Sequence, residues 1–547
     1  MPDRLEGLSL RVVRALVERP LTRRFVWKAV AEDFGLSMMQ DLPPSALGPV
    51  EQVPAPVQGR PPREWSDAGL AAPTPTRTTA AGLRRAYREG TTTPVEVLDR
   101  LLDAVARGAF GEATHSPFIR LDSEVARDAA KESGARWAAG APRSPLDGVV
   151  VPVKDQFMFK GLPAFGGTAW RTRRFHEDAV VVTKLREAGA VLPGTTHTTE
   201  NGLNPLGYNP NHAMPRNIYS AGHGAGGSST GSAVAVGLGL APVAVATDGG
   251  GSIRIPAALN GLFGLKPTFN RLSSTGNLWK GSVGHAGPIG GSVEDLVDFL
   301  EVASGRDPDD PFTGFATDWS TVRPTWRAAL GRGIAGARLG VLRSELEEAE
   351  PRIAALTMEA LAALEAEGAE LVDVSLEHLA VANAIGPLII ASESAANNAT
   401  DMVRHRKQAS DELRMVYGLM QAVDAPTYLR ARRVRAGLRR RVAELLCGVD
   451  LLVLPTVQRL AAPYPPQARQ IADLGWTGAM TRFAFLGNLT GLPALTAPIG
   501  QIDGLPVGLQ FMGDAWDEAS CLAAGAHVER MGLSQLPRPR GFVELCG

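Results

Sequence analysis

Apolar positions recur at helical spacing through the first 35 residues, in two pieces separated by Pro20. Leu8, Val12, Val13 and Leu16 share one face, and Val26, Trp27, Val30 and Phe34 share another. The pattern predicts a helical arm over residues 1–42. Seven Lys/Arg against three Asp/Glu between Met1 and Val30 make it basic. Two readings stand: an arm packed on the main body, or an interfacial amphipathic helix that brings the protein to lipid. Pro43, Pro44, Pro49, Pro54, Pro56, Pro61 and Pro62 then predict an extended linker over residues 43–75.

The pattern changes in the main domain, 76–547. Thr93, Pro94 and Glu96 form a capping box with proline at the first helical position, followed by the apolar face Val95, Leu98, Leu101, Leu102 and Val105. The β-branched run 149–153 predicts a buried strand ending at Lys154. Residues 180–189 predict a helix feeding a strand at 190–192. Small apolar residues over 231–240 predict a tightly buried helix, followed by a strand at 243–246 that runs into the turn 249–252. Strands and helices alternate, so the class is α/β. Residues 350–446 read as mostly helical, with the basic run 430–441 (RARRVRAGLRRR) as a solvated face. A buried strand at 451–454 closes on Pro455, and 488–500 and 504–513 alternate turns with strand-like runs.

Composition narrows the function. At 547 residues, 44% hydrophobic and 21% charged, the chain can bury a large core. A net charge of −1, with no aromatic residues interleaved in the basic run, argues against nucleic acid as a partner. No run of 18 apolar residues predicts a spanning helix, and Arg11, Arg14, Arg19, Arg23 and Arg24 interrupt any signal-peptide core. Cys447, Cys521 and Cys546 are odd in number and widely spaced, which fits a reducing cytoplasm rather than a disulfide framework or thiolate metal site. None of the nine histidines has HExxH spacing; His176, His197 and His223 read as loop or packing residues, and no metal is expected.

The chemistry concentrates in two glycine-rich turns holding Ser228 and Ser252, where glycine lets several N–H groups aim at one point. Gly222, Gly224 and Gly227 satisfy GxGxxG, but no strand precedes them. Gly226 and Gly231 have P-loop spacing, but Ser232 stands where the lysine belongs. Gly227, Ser229 and Gly231 match the nucleophile elbow, which needs a histidine that neither His405 nor His527 supplies in a distinguishing context. Amide hydrolysis needs a nucleophile, a base, an acid for the leaving amine and oxyanion donors. Lys154 can be the base if burial keeps it neutral; moving a lysine from ~10.4 to roughly 7 costs about 4 to 5 kcal/mol.

Lys154, residues 226–229 (GGSS) and residues 247–261 (TDGGGSIRIPAALNG) together resemble the amidase signature family. The likeness extends through 146–155 (LDGVVVPVKD), 178–194, 264–268 (GLKPT), 450–456 (DLLVLPT) and 491–500 (GLPALTAPIG). The resemblance implies the amidase signature fold, a central mixed β-sheet flanked by helices, here with an added N-terminal arm. It implies Ser252 as nucleophile, Ser228 as the cis-peptide serine that relays the proton, Lys154 as ultimate base, and Ser229 as support by hydrogen bonding. Gly249, Gly250, Gly251 and Ser252 would supply oxyanion N–H groups, and Asp248 and Arg254 would brace the loop. Thr230 and residues 195–200 (TTHTTE) depart from the family pattern.

Within the family, residues 7–21, 116–122, 166–170, 276–281 and 480–491 are most similar to the plant-type fatty acid amide hydrolases. That likeness implies a lipid-like amide such as an N-acylethanolamine, no cofactor, a homodimer and possible peripheral membrane contact. The alternatives are an amidase of small or aryl amides, an amidotransferase A-type subunit or, outside catalysis, a lipid-binding protein. An acyl chain needs an apolar tunnel, with the arm and its Met38 and Met39 as candidates for part of the wall.

Overall fold

The computed structural model describes residues 3–48, 65–66, 76–108, 110–316, 319–468 and 471–546. Pro49, Pro54, Pro56, Pro61 and Pro62 of the expected linker lie outside them. Of the start of that linker, Pro44–Ala46 forms a short 3₁₀ turn.

Among the described residues eleven strands form one mixed sheet. Across it run Glu370–Val374, Arg338–Leu342, Leu451–Pro455, Leu505–Met512, Ala494–Ile502 and Phe263–Lys266. His285–Gly290, Val243–Asp248, Val153–Lys154, Gly194–Thr196 and Phe118–Leu121 complete it. Val153 pairs in parallel with both Thr195 and Val245, so three neighbouring strands point their carboxyl ends the same way. In open α/β sheets that edge is where ligands bind. The strand expected at 149–153 contracts to Val153–Lys154 because Pro152 has no N–H to donate. Val149 and Val151 still exchange backbone hydrogen bonds with Val191. The strand expected at 190–192 likewise forms its ladder later, at Gly194–Thr196.

The helices follow their local signals where those are strong. Thr93 caps Pro94–Arg107 in a full capping box, and the small residues of Thr230–Gly237 are buried throughout. The stretch 350–446 is helical except for the edge strand Glu370–Val374. Its helix Leu379–Asn397 is long and apolar enough to cross a membrane, but 56% of it is buried inside the fold. The basic run lies on the helix Ala425–Leu446 and is not wholly solvated. Arg435 Nε donates to Leu489 O at 2.7 Å and Arg439 Nε to Thr490 O at 2.8 Å. Both therefore cap the carbonyl end of the helix Phe485–Thr490. Burial and the neighbouring Arg435 and Arg432 push Arg439 down to about 9.

The arm folds as two helices, Gly7–Glu18 and Pro20–Asp33, broken at Pro20 as expected. Its first helix is turned the other way. Leu8, Val12 and Leu16 are 71%, 49% and 36% exposed, while Leu10 and Val17 are buried against Met415 and Leu419 of the helix Asp411–Met420. Charge decides the orientation: Arg14 pairs with Asp411 at 2.6 Å, and Glu18 with Arg414 at 2.6 Å and Arg406 at 2.9 Å. Ahead of this helix Arg4–Glu6 pairs antiparallel with Ile471–Asp473.

Candidate active site

Lys154 ends its strand fully buried. Its Nζ donates to Thr247 Oγ1 at 2.7 Å and lies 2.7 Å from Ser228 Oγ. The Thr247 hydroxyl donates in turn to Gln156 Oε1 at 2.7 Å. That hydroxyl has one proton, so toward Lys154 it accepts. A neutral Lys154 then gives one N–H to Thr247 and keeps its lone pair for the Ser228 proton. Burial pushes the Lys154 amine well below the ordinary lysine range. Asp248 is the charge opposing that shift, and it is already engaged: Arg254 Nη2 donates to its Oδ1 at 2.9 Å, both side chains fully buried.

A second buried lysine, Lys266, sharpens the assignment. Burial and Arg254 lower it too, but its Nζ donates to the backbone carbonyls of Pro267 and Leu492. No hydroxyl hydrogen bond to it occurs among the described residues. Lys154 differs by facing a serine.

The Gly227–Ser228 peptide bond is cis. Next to it the Ser229 hydroxyl donates to Thr247 O at 3.1 Å, and Ser229 N–H donates to Ser252 O at 3.3 Å. Ser229 thus stitches the first serine turn both to the strand end and to the second serine turn. Ser228, Ser229, Ser252 and Lys154 are all buried, Ser252 the most open at 9%.

Asp248 shapes the second turn, accepting from Gly251 N–H at 2.7 Å, Ile253 N–H at 3.1 Å and Arg254 Nε at 3.0 Å. Burial alone would raise this carboxyl, but Arg254, Lys266 and Asn488 hold it well below the usual range. Arg254 is anchored further by Asn488 Oδ1 at 2.7 Å and Gln510 Oε1 at 2.5 Å. Gly251 has φ +113°, and a Cβ there would come within 2.5 Å of Ile255. A Cβ on Gly250 would meet the Phe485 ring at 2.6 Å. Among the described residues no hydrogen bond engages the N–H of Gly249, Gly250 or Ser252, whereas Gly251 N–H is spent on Asp248. Gly251 therefore departs from the expected set of oxyanion donors: it forms the turn, and its N–H has an acceptor already.

Ser252 and Gly250 open into a cavity of 440 Å³ whose walls are mainly apolar. Leu388, Val416, Met420 and Phe485 come from the main domain, and Trp27, Val30, Phe34 and Leu36 from the arm. The arm thus lines the cavity, but not through Met38 and Met39: Met38 is exposed, and Met39 is buried in the core. Glu200 and Glu412 are polar exceptions in the wall. Burial, reinforced by Glu200, pushes Glu412 up to about 8, even though Asn204 Nδ2 and the Tyr208 hydroxyl donate to it. Its carboxyl is therefore mostly neutral at pH 7.

Of the residues singled out from sequence, Lys154, Ser228, Ser229 and Ser252 come together at one edge of the sheet. Thr247, though inside the quoted 247–261 segment, and Gln156, two positions after Lys154, were given no role; a lone threonine or glutamine carries no spacing signal. Asn488 and Gln510, more than 230 positions from Asp248, had none either.

The Amidase family model matches residues 103–522. The fatty acid amide hydrolase of Oryza sativa subsp. indica is 30% identical over 472 residues, covering 84% of this chain and 77% of its own. The A-type subunit of glutamyl-tRNA(Gln) amidotransferase from Chloroflexus aggregans is 33% identical over 492 residues, covering 84% and 98%. Among solved structures, the peptide amidase of Stenotrophomonas maltophilia superposes with a TM-score of 0.71 at 27% identity, over 85% of this chain and 98% of its own. The strand-end serines and lysine thus sit within a matched region spanning most of the chain, which belongs to the Amidase family and is a hydrolase of amide C–N bonds.

Proposed function

We propose that the protein hydrolyses long-chain fatty acid amides by a Lys154–Ser228–Ser252 relay. Neutral Lys154 takes the Ser228 proton as Ser228 takes that of Ser252, whose Oγ attacks the amide carbonyl. The N–H groups of Gly249, Gly250 and Ser252 receive the oxyanion. The proton returns along the relay to the departing nitrogen, the C–N bond breaks, and the amine leaves an acyl-Ser252 ester. Water, deprotonated by the same relay, then releases the carboxylic acid and restores Ser252.

The observation that carries the relay is the 2.7 Å approach of a fully buried lysine to Ser228. For the substrate class it is the apolar cavity at Ser252, closed on one side by the arm. The 33% identity to an amidotransferase chain favours a second reading, a small amide; an apolar cavity of this size argues for the longer chain. Peripheral contact with lipid is part of the proposal. Leu8, Val12, Leu16, Leu21 and Phe25 are exposed on the arm beside exposed Arg11, Arg19, Arg24 and Lys28.

A panel of primary and N-hydroxyethyl amides with acyl chains from two to eighteen carbons tests the substrate. The proposal expects kcat/KM to rise with chain length, and a preference for acetamide-sized substrates overturns it. Labelling by a fluorophosphonate should vanish in Ser252→Ala; labelling that persists removes Ser252 as nucleophile.

A further inference from the structure

A second groove, of 580 Å³, lies behind the catalytic cavity and shares Met420 with it as a common wall. One side is a helical face carrying Ser392, Ala395, Ala399, Met402 and Val403, from Leu379–Asn397 and the following helix Ala399–His405. Facing it are Tyr417, Gly418 and Gln421 of the 411–420 helix and its end. At one end of the groove stand Glu18, Arg23, Arg406 and Arg414. Arg406 and Arg414 both pair with Glu18, and Arg23 Nε donates to the Val17 carbonyl at 2.7 Å. Two guanidinium groups thus share one carboxylate, with Arg23 beside them on the backbone, at the head of a trough whose helical side is mainly alanine, methionine and valine.

The catalytic cavity has the opposite character. Its carboxyl groups, Glu200 and Glu412, stand in the wall, while its arginine, Arg482, is paired with Glu345 at 2.9 Å. Deacylation creates a carboxylic acid that loses its proton at neutral pH. Its carboxylate is then disfavoured in the mainly apolar cavity, whose arginine is already paired, and favoured beside Arg406 and Arg414, which share a single carboxylate. From Ser392 to Arg406 the helical side runs roughly 20 Å at about 1.5 Å per residue, room for an extended long acyl chain.

We propose that this groove is a second binding site, for the long-chain carboxylate that the enzyme releases, with the head at Arg406 and Arg414 and the tail toward Met420. The identity of the ligand as product rests on the fatty amide reading. The site itself rests on the charge and shape of the groove.

The test is photolabelling of the full-length protein with a diazirine-bearing C16 fatty acid, mapped by peptide mass spectrometry. Label is expected on the segments around Ala399–Val403 and Tyr417–Gln421, displaced by oleate and not by oleyl alcohol. Arg406→Gln, at a half-exposed position, should weaken that labelling at least tenfold. Ala399→Trp, at an exposed position, should block the trough without a folding defect and abolish it. Label confined to the Ser252 cavity, or equal displacement by the alcohol, overturns the site. Displacement by phosphatidylglycerol vesicles but not by monomeric oleate reassigns the arginines to a lipid surface and also overturns it. Fatty amide hydrolysis measured in parallel separates the two claims. A labelled groove without hydrolysis defeats the substrate reading alone, and hydrolysis with an unlabelled groove defeats the site alone.

Discussion

The floor of the catalytic cavity and the arm that walls it are held by different physics. On the floor, Lys154, Thr247, Gln156, Asp248, Arg254 and Asn488 form a buried network of directional bonds at the carboxyl ends of parallel strands. The arm is held by a three-residue strand pairing, a few apolar side chains and partly exposed ion pairs. Of the arm's pairs Arg406–Glu18 has a half-exposed partner, the setting in which a pair contributes about 0–1 kcal/mol, whereas removing one partner of a fully buried pair costs about 3–5 kcal/mol. Chemistry therefore sits where geometry is over-determined. The proposed function puts substrate selection on the arm, which lines the cavity without touching the Lys154–Ser228 contact.

Substitutions on the two sides of the cavity should separate rate, stability and selectivity. Ser252→Ala is expected to have the largest effect, lowering kcat on every amide by about 10⁴-fold or more while the melting temperature stays near that of the parent. Asp248→Asn leaves Arg254 buried without its charge partner. Unfolding in denaturant should show a loss of about 3–5 kcal/mol, and activity should fall because an NH2 replaces one of the two oxygens that hold the turn and cannot accept from Ile253 N–H and Arg254 Nε as Oδ2 does. Trp27→Ala acts on the arm alone: KM for a C16 amide should rise about tenfold, roughly 1.4 kcal/mol, with kcat/KM for a short amide changed less than twofold. An equal effect on both substrates would deny the arm its selective role.

The smallest effect is one of pH. The Glu412 carboxyl titrates at about 8 in the cavity wall. Below that value Glu412 is neutral; above it Glu412 adds a negative charge to the wall facing the acyl chain. KM for the long-chain amide should therefore rise severalfold between pH 7 and 9.5, and the rise should disappear in Glu412→Gln. A rise that persists in that variant assigns it to another group.

The same contrast governs what could be read without coordinates. The strand-end residues Lys154, Ser228, Ser229 and Ser252 carry spacing and residue-type signals, because the chemistry demands a lysine after an apolar run and serines in glycine turns. Thr247 and Gln156 carry none, since threonine and glutamine are common in any strand or loop; only the fold reveals that they fix which way the Lys154 lone pair points. The arm showed its helices and its break at Pro20, but not its orientation. Leu8, Val12 and Leu16 form the better apolar stripe, yet Arg14 and Glu18 turn the other face inward by pairing with Asp411, Arg414 and Arg406, some 390 residues away. Distant pairing of this kind leaves no local trace. Arg435 and Arg439 repeat the lesson, reading as solvated until the carbonyl end of the Phe485–Thr490 helix lies beneath them.

The central claim is that Lys154 works as a neutral base. The pH dependence of kcat/KM, measured in the parent enzyme and in Lys154→Met, tests it most directly. Burial places the Lys154 pKa well below 10.5, and only the unprotonated amine can accept the Ser228 proton. Parent activity should therefore fall on the acid side of an apparent pKa below the ordinary lysine range and level off above it. Lys154→Met should lose at least 10³-fold near neutral pH together with that acid limb, while its melting temperature stays at or above the parent's. A Lys154→Met enzyme within tenfold of the parent at pH 7, or one that keeps the same acid limb, would contradict the relay.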